Sequence, residues 1–294
     1  MDLSQYVIAI LGGDGRELEC ARQAKSQGAE VRICGLSQND RSEIQLCHSI
    51  AEAVQGADIV ICPVPLPQED GSIYAPQSEA KLIVDDQSLA NMAPSGILIT
   101  GVASSQMKKA VEKFNLKLRE YEQDEELMIL RAPAIAEGAI KIAIEHTEVT
   151  LHENLCLIVG FGKIGPALAH SLLGLGAQVT VAARNAVQRA RAWEMGCTAI
   201  SLEQLLVPTQ NATVIFNIAS APLLDQNFLK RVNSQVILID LAAPPGGIDF
   251  KAAKDLNLTA IWGRGLGGRA PQTVGQVQWI GIERILSEIL EAQI

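Results

Sequence analysis

Short apolar runs broken by glycine and polar turns recur from one end of the chain to the other. Val7–Leu11, Ala57–Cys62, Gly96–Val102, Leu155–Val159, Gln178–Ala183, Thr213–Ala219, Gln235–Leu241 and Thr259–Trp262 are each apolar enough to predict buried parallel strands. LKLREYEQD (116–124) predicts an outer strand followed by an acidic, solvated turn. Between the runs the apolar spacing turns helical. Ile164, Leu168, Leu172 and Leu175 share one face, and Ile140, Ala143, Ile144 and Thr147 share another. The latter set gives the segment Arg131–Glu148 a helix signal, with Pro133 suited to a position just before the helix and Glu137 near its start. A last helix is predicted from Thr273 to about Glu291, with Val274, Val277, Ile280 and Ile285 on its apolar side. Strands alternating with helices indicate an α/β chain.

The pattern occurs twice. Val7–Gly35 aligns with Leu155–Ala183 so that Gly12 falls on Gly160, Gly28-Ala29 on Gly176-Ala177 and Val31 on Val179. This predicts two doubly wound Rossmann-like domains with parallel sheets. The first spans 1–132 and is completed by helices at 133–150 and 272–292, the C-terminal helix returning to it. The second spans 151–271. The second copy reads strand, Gly160-Phe161-Gly162-Lys163-Ile164-Gly165, helix, strand, the setting in which G-x-G-x-x-G signals a dinucleotide site. Gly160 permits the tight turn, Gly162 lets a pyrophosphate approach bare backbone, and Gly165 allows close packing. The helix N-terminus offers N–H groups and a positive dipole end. In the first copy Asp14 stands where Gly162 does, and its charge would repel a pyrophosphate. Asp14 reads instead as a cap for the helix beginning near Arg16.

Nineteen residues after Gly165, where an acidic residue would mark NAD, stand Arg184 and Asn185, with Arg189 and Arg191 close by. A guanidinium there suits the 2′-phosphate of NADP, which favours NADP and leaves NAD possible. Asn217 and Ala219 after one strand, and Leu241 after the next, are expected beside the nicotinamide half. The first domain should gather Gly12–Arg16, Pro63–Pro65 and Ala103–Ser105 on one rim. Arg16, Gly13, Ser104 and Ser105 are its candidates for holding a substrate, together with Arg264 from the second domain. Glu137 is the candidate proton acceptor.

The formal charge is −9, from 24 basic and 33 acidic residues, which argues against nucleic acid or an anionic membrane as a partner. Six cysteines are scattered without a C-x-x-C pair, and the four in apolar, strand- or helix-like surroundings read as core residues in a reducing compartment. No Cys/His cluster has metal-ligand spacing, and no basic leader or membrane-length apolar run is present, so the expectation is a cytoplasmic protein. All four histidines lie at or before residue 170, away from the loops expected near the nicotinamide. Oxidation of a hydroxyl commonly uses such a base. Its lack there favours a desaturation, in which hydride goes to the cofactor and a proton to a carboxylate or water.

GGDGRELE (12–19), Pro133 through Glu137-Gly138 with IAIEHT (142–147), GFGKIG (160–165), AARN (182–185), DLAAPPGGIDF (240–250) and GLGGRAPQTVGQ (265–276) together resemble the A-subunit family of dipicolinate synthase over essentially the whole chain. The resemblance implies a pyridine-nucleotide-dependent enzyme that makes dipicolinate from a cyclic dihydro- or hydroxytetrahydrodipicolinate intermediate of lysine biosynthesis in spore-forming bacteria. It also implies a second, flavoprotein-like subunit; a homo-oligomer is a further expectation. The chain departs from the family at Arg264 and Gly267, where proline is usual. Two other readings stay open: another two-domain NAD(P)-dependent dehydrogenase of an amino or keto acid, and a subunit that binds cofactor without turnover.

Overall fold

A computed structural model describes residues 1–37, 44–122 and 124–291. Along the chain run β1 (Val7–Leu11), α1 (Gly15–Ser26), β2 (Glu30–Cys34), β3 (Gln45–Cys47), α2 (Ile50–Val54), β4 (Ile59–Ile61), α3 (Asp86–Leu89), β5 (Ile97–Thr100), α4 (Ser105–Lys113) and β6 (Lys117–Glu120). Helix α5 (Glu125–His146) leads to β7 (Leu155–Val159), α6 (Gly165–Gly174), β8 (Gln178–Ala182), α7 (Ala186–Glu194), β9 (Thr198–Ile200) and β10 (Ala212–Asn217). Then come α8 (Gln226–Leu229), β11 (Ile237–Asp240), α9 (Phe250–Asp255), β12 (Thr259–Trp262) and α10 (Pro271–Glu291). The chain forms two compact units, Met1–Arg131 with Ala270–Ile294, and Ala132–Arg269.

Each unit holds one six-stranded sheet, ordered β3-β2-β1-β4-β5-β6 in the first and β12-β11-β10-β7-β8-β9 in the second. All pairings between these strands are parallel. Both orders reverse beside the unit's first strand, the doubly wound arrangement that opens a crevice at the carboxyl ends of the strands. Central strands are covered on both faces, which is why β4 reads as an unbroken apolar run, and β5 and β11 as apolar runs up to their last residues, Thr100 and Asp240, rather than as alternating ones. At the sheet edge β6 (KLRE) is half-exposed, as an outer strand should be. Gln123, in the acidic turn expected after β6, lies outside the described residues.

The C-terminal helix belongs to the first unit, as expected. Trp279, Ile282, Ile285, Leu286 and Ile289 of α10 share a core with Ile8, Ile10 and Cys20. Gly275 makes this contact possible. A Cβ there would stand 2.6 Å from the Arg16 carbonyl oxygen and 2.5 Å from Cβ of Glu19.

Helix α5 departs from expectation in two ways. It begins at Glu125, so Pro133 lies inside it and Glu137 falls well past the first turn. The carbonyl of Ile129, which proline cannot pair, belongs to an exposed residue and can be met by water. The second departure is in membership. Residues 132–146 fall in the second unit rather than completing the first, because Ala136, Ala139, Ile140 and Ala143 pack with Ile158, Phe161 and Leu168.

Candidate functional site

The register of the second sheet brings its carboxyl ends level. Val159 pairs with Ala182 and Asn217, Asn217 with Asp240, and Asp240 with Trp262. The loops after β7, β8, β10, β11 and β12 therefore share one edge. Gly160 turns the chain out of β7 at φ +92, so close to the next loop that a Cβ would stand 3.1 Å from the Ala219 nitrogen. Gly165 lies under Phe161, whose ring a Cβ would meet at 2.9 Å, and Phe161 itself is buried in the core. Gly162 is different: a Cβ there would meet nothing within 4 Å. Helix α6 starts without a side-chain cap, with Pro166 in its first turn. The N–H groups of Gly162, Lys163 and Ile164 have no acceptor among the described residues. Bare donors at a positive helix end, facing open space, fit a pyrophosphate.

The same turn in the first unit is closed. Asp14 caps α1 through the Arg16 N–H at 3.0 Å, confirming its reading as a cap, while Glu17 reaches back to the Asp14 N–H at 2.9 Å. At the offset of the repeat, Glu17 stands on Gly165. Its carboxylate fills the space beside Gly13, where a Cβ would come within 2.3 Å of it. The Gly12 and Gly13 amides are spent on the carbonyls of Cys34 and Tyr74. Glu17 is wholly buried and accepts from Gln278 Nε2 at 3.2 Å; burial pushes its carboxyl up. No anion can be received by a turn filled with two carboxylates.

The candidate substrate residues of the first unit are placed as follows. Arg16 is only 7% exposed, and its guanidinium makes a two-pronged bond to Asp14 at 2.9 and 3.0 Å. Its Nε and Nη2 edge is thus engaged by a neighbouring carboxylate of the same turn. The Gly13 amide is engaged too. Ser104 caps α4, its Oγ accepting from the Met107 N–H at 3.1 Å, and Ser105 is exposed in the first turn. The rim itself is as expected, since β1, β4 and β5 are parallel neighbours.

In the second unit Arg184 is exposed at the end of β8. Arg189 Nη1 donates to the carbonyls of Ala183 and Arg184 at 2.8 and 2.7 Å and holds that strand end in shape. Asn185 caps α7 through the Val187 N–H at 2.8 Å. Ala219 is half-buried on the rim and Leu241 is buried beneath it. Asn217 is fully buried with both amide hydrogens spent, on Ala219 O and on Asp240, so any part it plays passes through the loops it ties. Arg264 is exposed, its guanidinium 5.3 Å from the Trp262 ring centre. Glu137 forms an ion pair with Arg269 and lines an apolar groove of about 500 Å³ with Ile140, Ile144 and Leu175. Sequence reasoning missed Asp240, a buried carboxylate at the end of β11; its apolar run, broken by one acid before a glycine-proline turn, was the available signal. Among the described residues no group of acids, histidines and cysteines could hold a metal, and no helix is long and apolar enough to cross a membrane.

Comparison with known proteins follows this division. Residues 7–122 match the family described as the N-terminal domain of the dipicolinate synthase A-subunit. Residues 134–245 match the NAD-binding domain of D-isomer-specific 2-hydroxyacid dehydrogenases. The dipicolinate synthase A-subunit of Bacillus subtilis (strain 168) is 28% identical over 290 residues, covering 98% of each chain. The crystal structure of the corresponding protein from Bacillus halodurans superposes with a TM-score of 0.89 at 26% identity, over 98% of this chain and 99% of the other. The one from Bacillus subtilis gives 0.86 at 28%, over 99% and 98%. The second unit is thus a dehydrogenase-type domain suited to a nicotinamide dinucleotide, in agreement with its open glycine turn.

Proposed function

From its full-length kinship with the A-subunit of dipicolinate synthase, we propose that this chain is an oxidoreductase forming dipicolinate from a cyclic dihydro- or hydroxytetrahydrodipicolinate, with NADP as its preferred cofactor. The observation that carries the reading is the open turn at Gly160–Gly165 within a chain alike from end to end. Converting the dihydropyridine to the aromatic acid removes one hydride and one proton; the hydroxytetrahydro form must also lose water. When bound, the nicotinamide supplies the hydride acceptor, and aromatisation supplies much of the driving force.

The protein's task is then to hold and orient. Gly162, Lys163 and Ile164 offer N–H groups to the pyrophosphate, and Arg184 meets the 2′-phosphate. On a chain of net charge −9 the substrate's two carboxylates need local cations, and exposed Arg264 provides one. Glu137 takes the proton once its pair with Arg269 opens. The relatives are named as the A-subunits of a synthase, which supports a second chain as partner.

Titration of the purified protein with NADPH and NADH, each with and without dipicolinate, tests the reading. It is expected to show saturable binding with NADPH tighter. Arg184→Asp should then weaken NADPH by about tenfold or more and leave NADH little changed, since it exchanges an attractive charge for a repulsive one. Equal loss for both cofactors would remove the NADP assignment. With a cyclic dicarboxylate as substrate, Glu137→Gln should lower turnover by roughly a hundredfold, in line with loss of a general base. Unchanged turnover would remove that role. Turnover with simple keto acids alone, or binding with no turnover even beside the second chain, would replace the proposed reaction.

A further inference from the structure

The Asp240 carboxylate is completely buried at the end of β11, and its bonds all shape loops. Oδ1 accepts from Asn217 Nδ2 at 2.8 Å and from the Ala242 N–H at 3.0 Å. Oδ2 accepts from the N–H groups of Gly247 at 2.8 Å and Ile248 at 3.1 Å. Asn217, its partner in the strand register, sends its amide also to Ala219 O at 2.9 Å. One carboxylate thereby fixes both segments that follow β10 and β11. From the next strand Trp262 Nε1 adds a bond to Ala242 O at 3.2 Å.

The arrangement is costly. A buried carboxylate carries a large desolvation penalty, and apolar replacements of buried charges are often neutral or stabilising. Asn217 Oδ1 is buried with no partner at the same spot, a second polar cost. The loop is also fitted around the carboxylate. Gly246, at φ +83, would bring a Cβ within 2.7 Å of Oδ2, and Gly247 would bring one within 2.5 Å of the Asn217 amide. Both costs fall where a ligand meets a doubly wound sheet, at the carboxyl edge. On the dinucleotide reading above, the pyrophosphate falls to the turn after β7 and the adenosine ribose to the end of β8. The loops tied by Asp240 are left for the nicotinamide half.

Resting on the dinucleotide reading above, we propose that Asp240 is a positioning residue for the nicotinamide half of the cofactor, acting through the loops after β10 and β11 without touching the ligand. The test compares whole dinucleotides with fragments lacking nicotinamide, on the full chain. NADPH and NADH binding is followed by calorimetry beside ADP and 2′,5′-ADP, for the unmodified protein, Asp240→Asn and Gly246→Ala. Asp240→Asn turns one acceptor into a donor facing other donors. Gly246→Ala disturbs the same loop from outside the sheet. Each is expected to weaken whichever dinucleotide the unmodified chain binds by about tenfold or more, while fragment affinity stays within about twofold. Dinucleotide affinity unchanged in both variants overturns the proposal. So does equal loss of fragments and dinucleotides, which would make Asp240 a general support of the domain. If the unmodified protein bound neither dinucleotide, the underlying reading would fall first, before any variant was compared.

Discussion

Replacing Gly162 by Asp is expected to abolish dinucleotide binding while leaving the melting temperature of the protein where it was. The position is exposed, lies outside the left-handed region, and has nothing within 4 Å of a Cβ, so the fold has no reason to require glycine. A ligand does. A carboxylate about 5 Å from each pyrophosphate charge costs about 3 kcal/mol per pair at an effective dielectric of ~20. That is about a hundredfold in affinity for a single pair. Gly162→Ala serves as the control, adding bulk without charge, and should weaken binding far less. The chain already contains a version of this substitution: Asp14 occupies the corresponding place in the first unit, and that turn is filled. Calorimetry with NADPH and NADH reads the outcome. An Asp variant that binds as well as the unmodified chain would move the pyrophosphate away from this turn.

The contrast between the two turns shows what could be learned from sequence and what could not. Strands β1, β7 and β12 have the limits expected of them, because each is an apolar run closed by a glycine. The three-residue strands β3 and β9 carry polar residues at the sheet edges and gave no such pattern. Asp14 was legible as a cap because helix signals are local. Its bond to Arg16 was not, since nothing in the spacing distinguishes an arginine that grips a ligand from one folded back on a neighbouring acid. Glu17 illustrates the same limit in part: its capping box with Asp14 is local, but the bond it accepts from Gln278, far along the chain, is not. For Glu137 the error was one of phase. Pro133 looked like a boundary, but α5 already had its first turns behind it, and the expected helix-start glutamate became a mid-helix partner of Arg269. Asp240 was hidden inside an apolar strand whose tip is read through backbone donors from a loop, and side-chain patterns do not report those.

Asp14→Ala should be among the most destabilising single changes in the first unit, costing about 3–5 kcal/mol. Three losses coincide. The α1 cap disappears, itself worth about 1 kcal/mol. Tyr74 loses its acceptor at 3.5 Å. Above all, the Arg16 guanidinium, nearly buried, loses the carboxylate that holds it by two bonds. Glu17 lies close enough to retain some of that charge, which keeps the cost from being larger still. The double variant Asp14→Ala/Arg16→Met separates these contributions, because it removes the stranded cation. It should recover a large part of the loss, leaving chiefly the cap. Denaturant unfolding of the four proteins of this cycle measures it, and additive losses would mean that the pair is not coupled. Acid sharpens the test. Burial raises the Asp14 carboxyl, but the bonds and charge of Arg16 outweigh it and hold the group below its ordinary value. A depressed folded pKa gives stability that is present above the unfolded value of about 3.9 and disappears as pH falls through the folded one. Glu17 works in the opposite sense, its raised carboxyl favouring the folded state more at low pH than at neutrality. Removing Asp14 should therefore lower stability most near neutral pH and progressively less in strong acid, with the difference between variant and unmodified chain closing as the carboxylate is protonated.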